Sequence, residues 1–269
     1  MTSVNARLPS LDDESFRLFQ SMMFEVTGIK MSDQKKALVG GRLSKRIREL
    51  GLNNYGDYFK LASQCQSDEH QVAVDLLTTN ETFFFREAKH FDFIQQHLIP
   101  GWRNKNVRLW SAASSSGQEA YSLAMLLSES NGINWEVLGT DINRSVIQRA
   151  ARGQYSLESA KHIPEKLLKK YCLRGIGSQS GTFMIHPRLK KLVSFQLANL
   201  KNLQTGPGQF ELIMLRNVMI YFDLATKRQV VEQIIQHLKP GGYLMIGHSE
   251  SLNGVTDRLK FVQPSVYQK

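Results

Sequence analysis

Residues 107–125 read VRLWSAASSSGQEAYSLAM, and this stretch decides the fold. VRLWSAA is a short apolar run ending in small residues, and SGQEAYSLAMLLSES (116–130) then carries helical spacing. A strand turning through small residues into a helix opens a βα unit, and the pattern recurs downstream. WEVLGTDI (135–142) reads as a second strand and NRSVIQRAARG (143–153) as a second helix. FELIMLRNVMIYF (210–222) contains another strand, followed by a helix at 224–238 that KPGG (239–242) ends; YLMIGHS (243–249) is a further strand. Strands alternating with helices predict an α/β domain built on a parallel sheet covered on both faces. Such sheets bind ligands beyond the carboxyl ends of their strands, near the reversal of strand order.

Upstream, residues 1–78 read as a small all-α domain without strand alternation. Ser10 is the expected cap of a helix carrying Phe16, Phe19, Met23 and Val26 on one stripe and closed by Gly28. A second helix is expected from Ser32 to Leu50, stopped by Gly51, with Gly40-Gly41 weakening its middle. Shorter helices follow at 54–64 and 68–78, then a linker helix over 79–98 before the sheet domain at 99–269. Residues 154–191 fit neither pattern. A short helix at KHIPEKLLKKYC precedes RGIGSQSGTFMIHPRLKKLVSF, where Gly175, Gly177 and Gly181 suggest turns and TFMIH and LVSF short strands. This reads as a small β-rich insertion.

The chain has 269 residues, 42% hydrophobic and 22% charged, which excludes global disorder. No apolar run approaches the roughly 20 residues that span a bilayer. MTSVNARLPSLDDESF lacks the apolar core of a signal peptide. Cys65 and Cys172 lie far apart and are expected as buried free thiols of a cytosolic protein. The seven histidines show no HxxxH or HExxH spacing, so no metal is expected. The net charge of +10 concentrates in 30–48, with seven basic residues and one acidic, and in 157–191, with eight and two. Both patches read as docking surfaces for an acidic partner or as solvated helix faces.

The turn SAASSSG is not GxGxxG, so it lacks the glycines that let a backbone approach a pyrophosphate. Small serines and alanines suit a ligand without phosphates, and S-adenosylmethionine is one. Glu119, on the first turn of the helix, is placed to meet that ligand's ammonium or to serve as an ordinary first-turn carboxylate. Asp141 ends the second strand, where a carboxylate accepts from ribose hydroxyls; the alternative is a helix cap, a role Asn143 also fits. TTNETFFFRE (78–87) places Phe83–Phe85 between Asn80, Thr82 and Arg86. By periodicity the phenylalanines are core that seals the helical domain onto the sheet. RNVMIYF (216–222) puts polar Arg216 and Asn217, then Tyr221, at the tip of an apolar strand.

Together, TTNETFFFRE, LWSAASSSGQEAYSLAM, GTDIN, LRNVMIYF and LKPGGYLMIGHSES resemble, in order and spacing, the CheR family of chemotaxis receptor methyltransferases. The resemblance runs from about residue 12 to the C-terminus. It implies a small helical domain followed by a Rossmann-like methyltransferase domain with an inserted β-subdomain. It also implies S-adenosylmethionine as cofactor and S-adenosylhomocysteine as product. At matched positions it implies cofactor contacts from Asn80, Thr82, Arg86, Glu119, Asp141, Asn199, Leu200, Arg216 and Asn217, with Arg86 and Tyr221 closest to the transferred methyl. The sequence departs at GQEAYS, where Gln118 and Ala120 stand in place of the family's more frequent glutamate and proline.

The implied substrate is a glutamate side chain on the cytoplasmic domain of a chemoreceptor, which sets the expected location as cytoplasmic and recruited to membrane-bound receptor arrays. A glutamate is ionised at pH 7, so direct displacement needs no general base. Lys35, Arg42, Lys45 and Arg46 on one helix face are expected to dock the acidic receptor. The loop bearing Gly175, Gly177 and Gly181 is similar to that of members whose β-subdomain binds the receptor's C-terminal peptide. A nucleic-acid methyltransferase is disfavoured: RNVM replaces the [DNS]PP[YFW] motif, and no aromatic-rich basic groove is evident. A non-catalytic cofactor-binding scaffold is disfavoured by the intact Arg86 and Tyr221.

Overall fold

The computed structural model describes residues 10–65, 67–203 and 208–269. The expectation for the opening sixteen residues falls partly on 1–9, outside the described ones. The chain divides into two compact units, one running to Thr79 and including Tyr221–Asp223, the other comprising Asn80–Ile220 and Leu224–Lys269.

The first unit holds α1 (Asp13–Thr27), α2 (Lys36–Glu49), α3 (Tyr55–Ala62) and α4 (Asp68–Leu77). Asp12, not Ser10, caps α1, and its carboxylate accepts from Ser15 N at 2.7 Å. An anionic cap both satisfies an orphan amide and complements the helix dipole. Gly28 closes α1 in the left-handed conformation, φ 77°. A single 3₁₀ turn at Asp33–Lys35 delays the start of α2 past Ser32. Gly40 sits inside α2 for a packing reason: Tyr55 Oη donates to its carbonyl at 2.9 Å, and Leu11 Cβ lies 3.4 Å from where a side chain would begin. Phe16, Phe19, Met23, Val39, Leu43, Ile47, Tyr58 and Val74 form the buried interior.

The second unit contains β1 (Asn106–Ser111), β2 (Asn134–Asp141), β3 (Gln154–Ser156), β4 (Cys172–Arg174), β5 (Thr182–Ile185), β6 (Val193–Leu197), β7 (Phe210–Leu215), β8 (Leu238–Ile246), β9 (Lys260–Gln263) and β10 (Val266–Gln268). Its helices are α5 (Lys89–Phe93), α6 (Gln118–Ser128), α7 (Arg144–Arg152), α8 (Glu165–Tyr171), α9 (Pro187–Lys190) and α10 (Leu224–Gln236). Seven strands form one sheet in the order β6-β2-β1-β7-β8-β10-β9. It is parallel from β6 to β8 and antiparallel across β10 and β9. The chain winds outward from β1 to β2 and β6 on one side and to β7 and β8 on the other, so strand order reverses between β1 and β7.

Three expectations are corrected. LVSF belongs to β6, the outer strand of the large sheet beside β2, and not to the insertion. The insertion's own sheet is β3-β5-β4, whose two three-residue outer strands are too short for periodicity to reveal. Residues 80–88 are non-helical, so the linker helix reduces to α5 and the π turn Ile94–Leu98. The thiol expectation also changes: both cysteines are free, but Cys65 is exposed. Cys172 is half-buried, and burial pushes its thiol up to about 12.

Glu129, at the end of α6, ties the insertion to the sheet domain. It accepts from Lys170 Nζ and Tyr171 Oη, each at 2.6 Å. These bonds hold its carboxyl down to about 2. A depressed carboxylate stabilises above its unfolded value near 4.5, and the contribution disappears as pH falls toward 2. Glu129→Gln is therefore expected to cost about 1 kcal/mol in urea unfolding at pH 7. The difference from the parent should shrink below pH 4; a constant difference would assign the effect to shape rather than charge.

Candidate active site

The βα turn after β1 is built from side chains too small to obstruct a ligand. Ser114 N donates to Thr140 O at 2.8 Å, and Ser115 N to Asp141 Oδ2 at 2.8 Å. Gly117 begins α6 with φ 93°, and a Cβ there would stand 2.8 Å from Ala150 Cβ. At Gly139 a Cβ would meet the Phe195 ring at 2.6 Å. Gln118 joins the turn: Ser116 Oγ donates to its Oε1 at 2.9 Å. Ser114 Oγ is buried with no hydrogen-bond partner among the described residues. An orphaned hydroxyl in a phosphate-free turn fits a ligand that brings its own polar atoms.

Asp141 closes β2. Its carboxylate also accepts from Asn143 N at 3.0 Å, while Asn143 Oδ1 accepts from Val146 N and caps α7. The capping role therefore falls to Asn143, and Asp141 aims its carboxylate at the turn. Asn199 and Leu200 follow β6; Asn199 Oδ1 accepts from Lys201 N at 3.0 Å, and Leu200 is buried.

Arg216 lies at the tip of β7 with its side chain only 1% exposed. Its Nη1 donates to Glu119 Oε2 at 2.7 Å, and its Nη2 to Glu87 Oε2 at 2.9 Å and to the Arg86 carbonyl. Glu119 also accepts from Ser111 Oγ at 2.7 Å. Burial pushes the Glu119 carboxyl up, and Arg216 opposes it. Burial acts the same way on Glu87, but the Arg216 charge and bonds from Asn217 and Arg216 outweigh it and bring its carboxyl to about 2. Asn217 Nδ2 reaches Glu87 Oε1 at 3.1 Å, and Asn217 N donates to Glu250 at 3.0 Å. Glu250 also accepts from Gly247 N at 2.6 Å and Ile220 N at 3.2 Å, and so ties the β8 tip to the loop after β7.

From Asn80 onward the TTNETFFFRE segment belongs to the second unit. Phe84 is fully buried and packs edge-on against Tyr155, 5.0 Å between centroids, with Phe183 at 5.9 Å. Phe83 is exposed, which corrects the expectation of three core phenylalanines. Asn80 O accepts from Ser115 Oγ at 2.8 Å and so joins the segment to the turn. Thr82 is half-buried. Arg86 Nη1 donates to Glu81 O at 2.9 Å, and its guanidinium lies 5.7 Å from the Phe83 ring centre. Phe85, Glu87, Ser115 and Asn217 all carry φ between 48° and 58°. Left-handed backbone at bulky residues costs about 1–3 kcal/mol each and concentrates where function constrains geometry.

Tyr221 belongs to the first unit. Its carbonyl accepts from Lys30 N at 2.9 Å, and Lys35 Nζ lies 5.0 Å from its ring centre. The expected docking face is also partly engaged within that unit. Arg46 pairs with Glu69 through Nε at 3.0 Å and Nη2 at 2.6 Å, and Tyr58 Oη joins Glu69 at 2.8 Å. Arg42 Nη1 donates to the carbonyls of Leu77 at 3.3 Å and Thr78 at 2.9 Å at the end of α4. Lys45 stays 83% exposed. In the insertion, a Cβ on Gly175 would stand 2.1 Å from Gln179 O, while Gly177 and Gly181 have φ 56° and 83°.

Sequence reasoning missed Glu87, Ser115 and Glu250. Glu87 sits inside a quoted motif, but nothing in its spacing announces a partner 129 residues away.

A largely parallel sheet with a strand-order reversal, a turn of small residues, Asp141 at a strand tip and Glu119 on the following helix fit an S-adenosylmethionine-dependent methyltransferase, and the family match gives that class. Residues 80–268 match the family described as CheR methyltransferase, SAM binding domain, and residues 14–78 match CheR methyltransferase, all-alpha domain. The chain belongs to the CheR family. It is 38% identical to the chemotaxis protein methyltransferase of Escherichia coli (strain K12), over 96% of this chain and 91% of the relative. It is 36% identical to that of Salmonella typhimurium (strain LT2), with the same coverage. The corresponding protein of Borreliella burgdorferi (strain B31) is 35% identical over 98% and 97%. Among the described residues, no helix is long and apolar enough to cross a membrane.

Proposed function

We propose that the chain esterifies glutamate γ-carboxylates on the cytoplasmic domains of chemoreceptors, recruited to membrane-bound receptor arrays. The observation that supports this best is the half-buried Arg86, whose hydrogen bond goes to a neutral carbonyl and leaves its charge open to an incoming carboxylate. When bound, S-adenosylmethionine supplies a sulfonium methyl that passes to the carboxylate oxygen while sulfur keeps the bonding pair. Glu119 receives the ammonium and Asp141 the ribose hydroxyls. Asn199 and Leu200 hold the adenine side, and Asn80, Thr82, Arg216 and Asn217 complete the cofactor contacts. Arg86 steers the carboxylate through a charge-assisted hydrogen bond, and Tyr221 holds the glutamate near the methyl. Positioning and water exclusion then carry the rate.

Recognition is separate from chemistry. The exposed Lys45 on α2, with Lys35 just before that helix, meets the acidic receptor, while Arg42 and Arg46 mainly brace the helical unit. The outer strand β4 accepts the receptor's C-terminal peptide as an added strand. Leu173 in β4 and Ile176 just beyond it are exposed, Ile176 by 83%, and the glycine-shaped loop borders them. Such a tether raises local enzyme concentration. Labelled methyl transfer across a full receptor set, with and without C-terminal tails, tests the reading. We expect base-labile label on receptor glutamates, slower without the tail, and slower for Lys45→Glu at low salt only. Label on RNA, or base-stable label, overturns the substrate; equal rates without tails overturn the tether.

A further inference from the structure

Beside the Arg216 cluster lies a group of side chains that methyl transfer leaves unexplained. Glu87, His90 and His248 each offer one ligand atom, and these atoms lie within 4.8 Å of one another. His90 Nδ1 is 3.5 Å and His248 Nε2 4.0 Å from Glu87 Oε2. Around a four-coordinate metal with bonds of about 2.0–2.1 Å, neighbouring ligand atoms stand roughly 3.4 Å apart. The cluster needs only small adjustments to reach that spacing.

His90 supplies the independent observation. It is 1% exposed, and neither ring nitrogen has a hydrogen-bond partner among the described residues. A buried polar group left unpaired costs about 1–3 kcal/mol, so a structure that keeps one calls for a ligand there. The His90 and His248 rings stand 4.7 Å apart between centroids, and the His248 side chain is 41% exposed, which opens a path from solvent. With both carboxylates ionised, Glu87, Glu119 and Arg216 sum to one negative charge, so a cation meets no net repulsion. Two imidazoles and a carboxylate suit zinc-class ions.

We propose that Glu87, His90 and His248 form a binding site for a divalent transition-metal ion of the zinc class, with the fourth position open to solvent. Glu87 Oε2 already accepts from Arg216 Nη2 and Nε and from His248 N. The metal therefore competes with Arg216 for this oxygen, which makes the binding weaker than that of a structural zinc site. The competition also couples the ion to the cofactor, by the same factor in both directions. This coupling rests on reading Arg216 and Asn217 as cofactor contacts; the metal site does not. Histidine spacing gave no hint of it, because the two histidines come from α5 and from the loop after β8.

Calorimetric titration of the full chain with Zn²⁺ tests the site. We expect one ion per chain, weakened about 10-fold or more by His248→Ala and unchanged by His97→Ala. Co²⁺ should give visible absorption of four-coordinate intensity that His248→Ala removes. His248 is exposed, so its replacement should leave the melting curve intact. No binding tighter than about 100 μM, or tight binding indifferent to His248→Ala, overturns the proposal. Saturating Zn²⁺ should weaken S-adenosylhomocysteine binding several-fold. Unchanged binding with the ion in place overturns the coupling, whereas insensitivity of cofactor binding to Arg216 replacement would overturn the cofactor reading instead.

Discussion

Arg216→Ala is expected to lower the unfolding free energy by about 3–5 kcal/mol and to abolish measurable S-adenosylhomocysteine binding. The guanidinium is almost fully enclosed and is the ion-pair partner of both Glu87 and Glu119. Its removal leaves two neighbouring carboxylates in a low-dielectric setting with no cation between them. Arg216 also holds the Arg86 carbonyl, so the segment carrying Arg86 loses an anchor. Burial already pushes the Glu119 carboxyl up and Arg216 opposes it, so the variant should favour the neutral form of Glu119, which, on the proposed reading, no longer offers a charge to the cofactor ammonium. Chemical denaturation and calorimetry with S-adenosylhomocysteine measure the two effects. A loss below about 1 kcal/mol with binding intact would show that the cluster is neither a structural hub nor part of the cofactor site.

Arg86→Ala is expected to act on the reaction instead. Turnover should fall by about 10²–10³, the usual range for removing one preorganised charged donor. S-adenosylhomocysteine affinity should change only a few-fold, because the proposed reading assigns most cofactor contacts to other residues. Among the described residues, Arg86 has no carboxylate partner, so its loss strands no buried charge and the fold should survive. Initial rates at saturating cofactor, set beside calorimetric affinities, separate the outcomes. Equal losses in both would reassign Arg86 to the cofactor alone.

Contrast between these two arginines shows where sequence reading stops. Both stand out in the sequence as polar residues beside apolar or aromatic runs. Enclosure separates them: one is locked between two carboxylates, while the other leans on a carbonyl. Arg42 and Arg46 repeat the lesson in the helical unit. Their i, i+4 spacing placed them on one face with Lys45, but Glu69 and the end of α4 occupy them and leave the lysine exposed.

The sequence by itself determined the alternation of strands and helices, the small-residue turn, the helix start that carries Glu119, and the strand tips that carry Asp141 and Arg216. These follow from local periodicity and from residue size, which act over a few neighbours. Tertiary structure alone decided that β6 joins the large sheet, that β9 and β10 close its edge antiparallel, and that Glu87, Arg216 and Glu119 form one buried cluster. Register and burial arise from pairings between segments far apart in the chain, and no local pattern encodes the partner of a charge that folding brings inside.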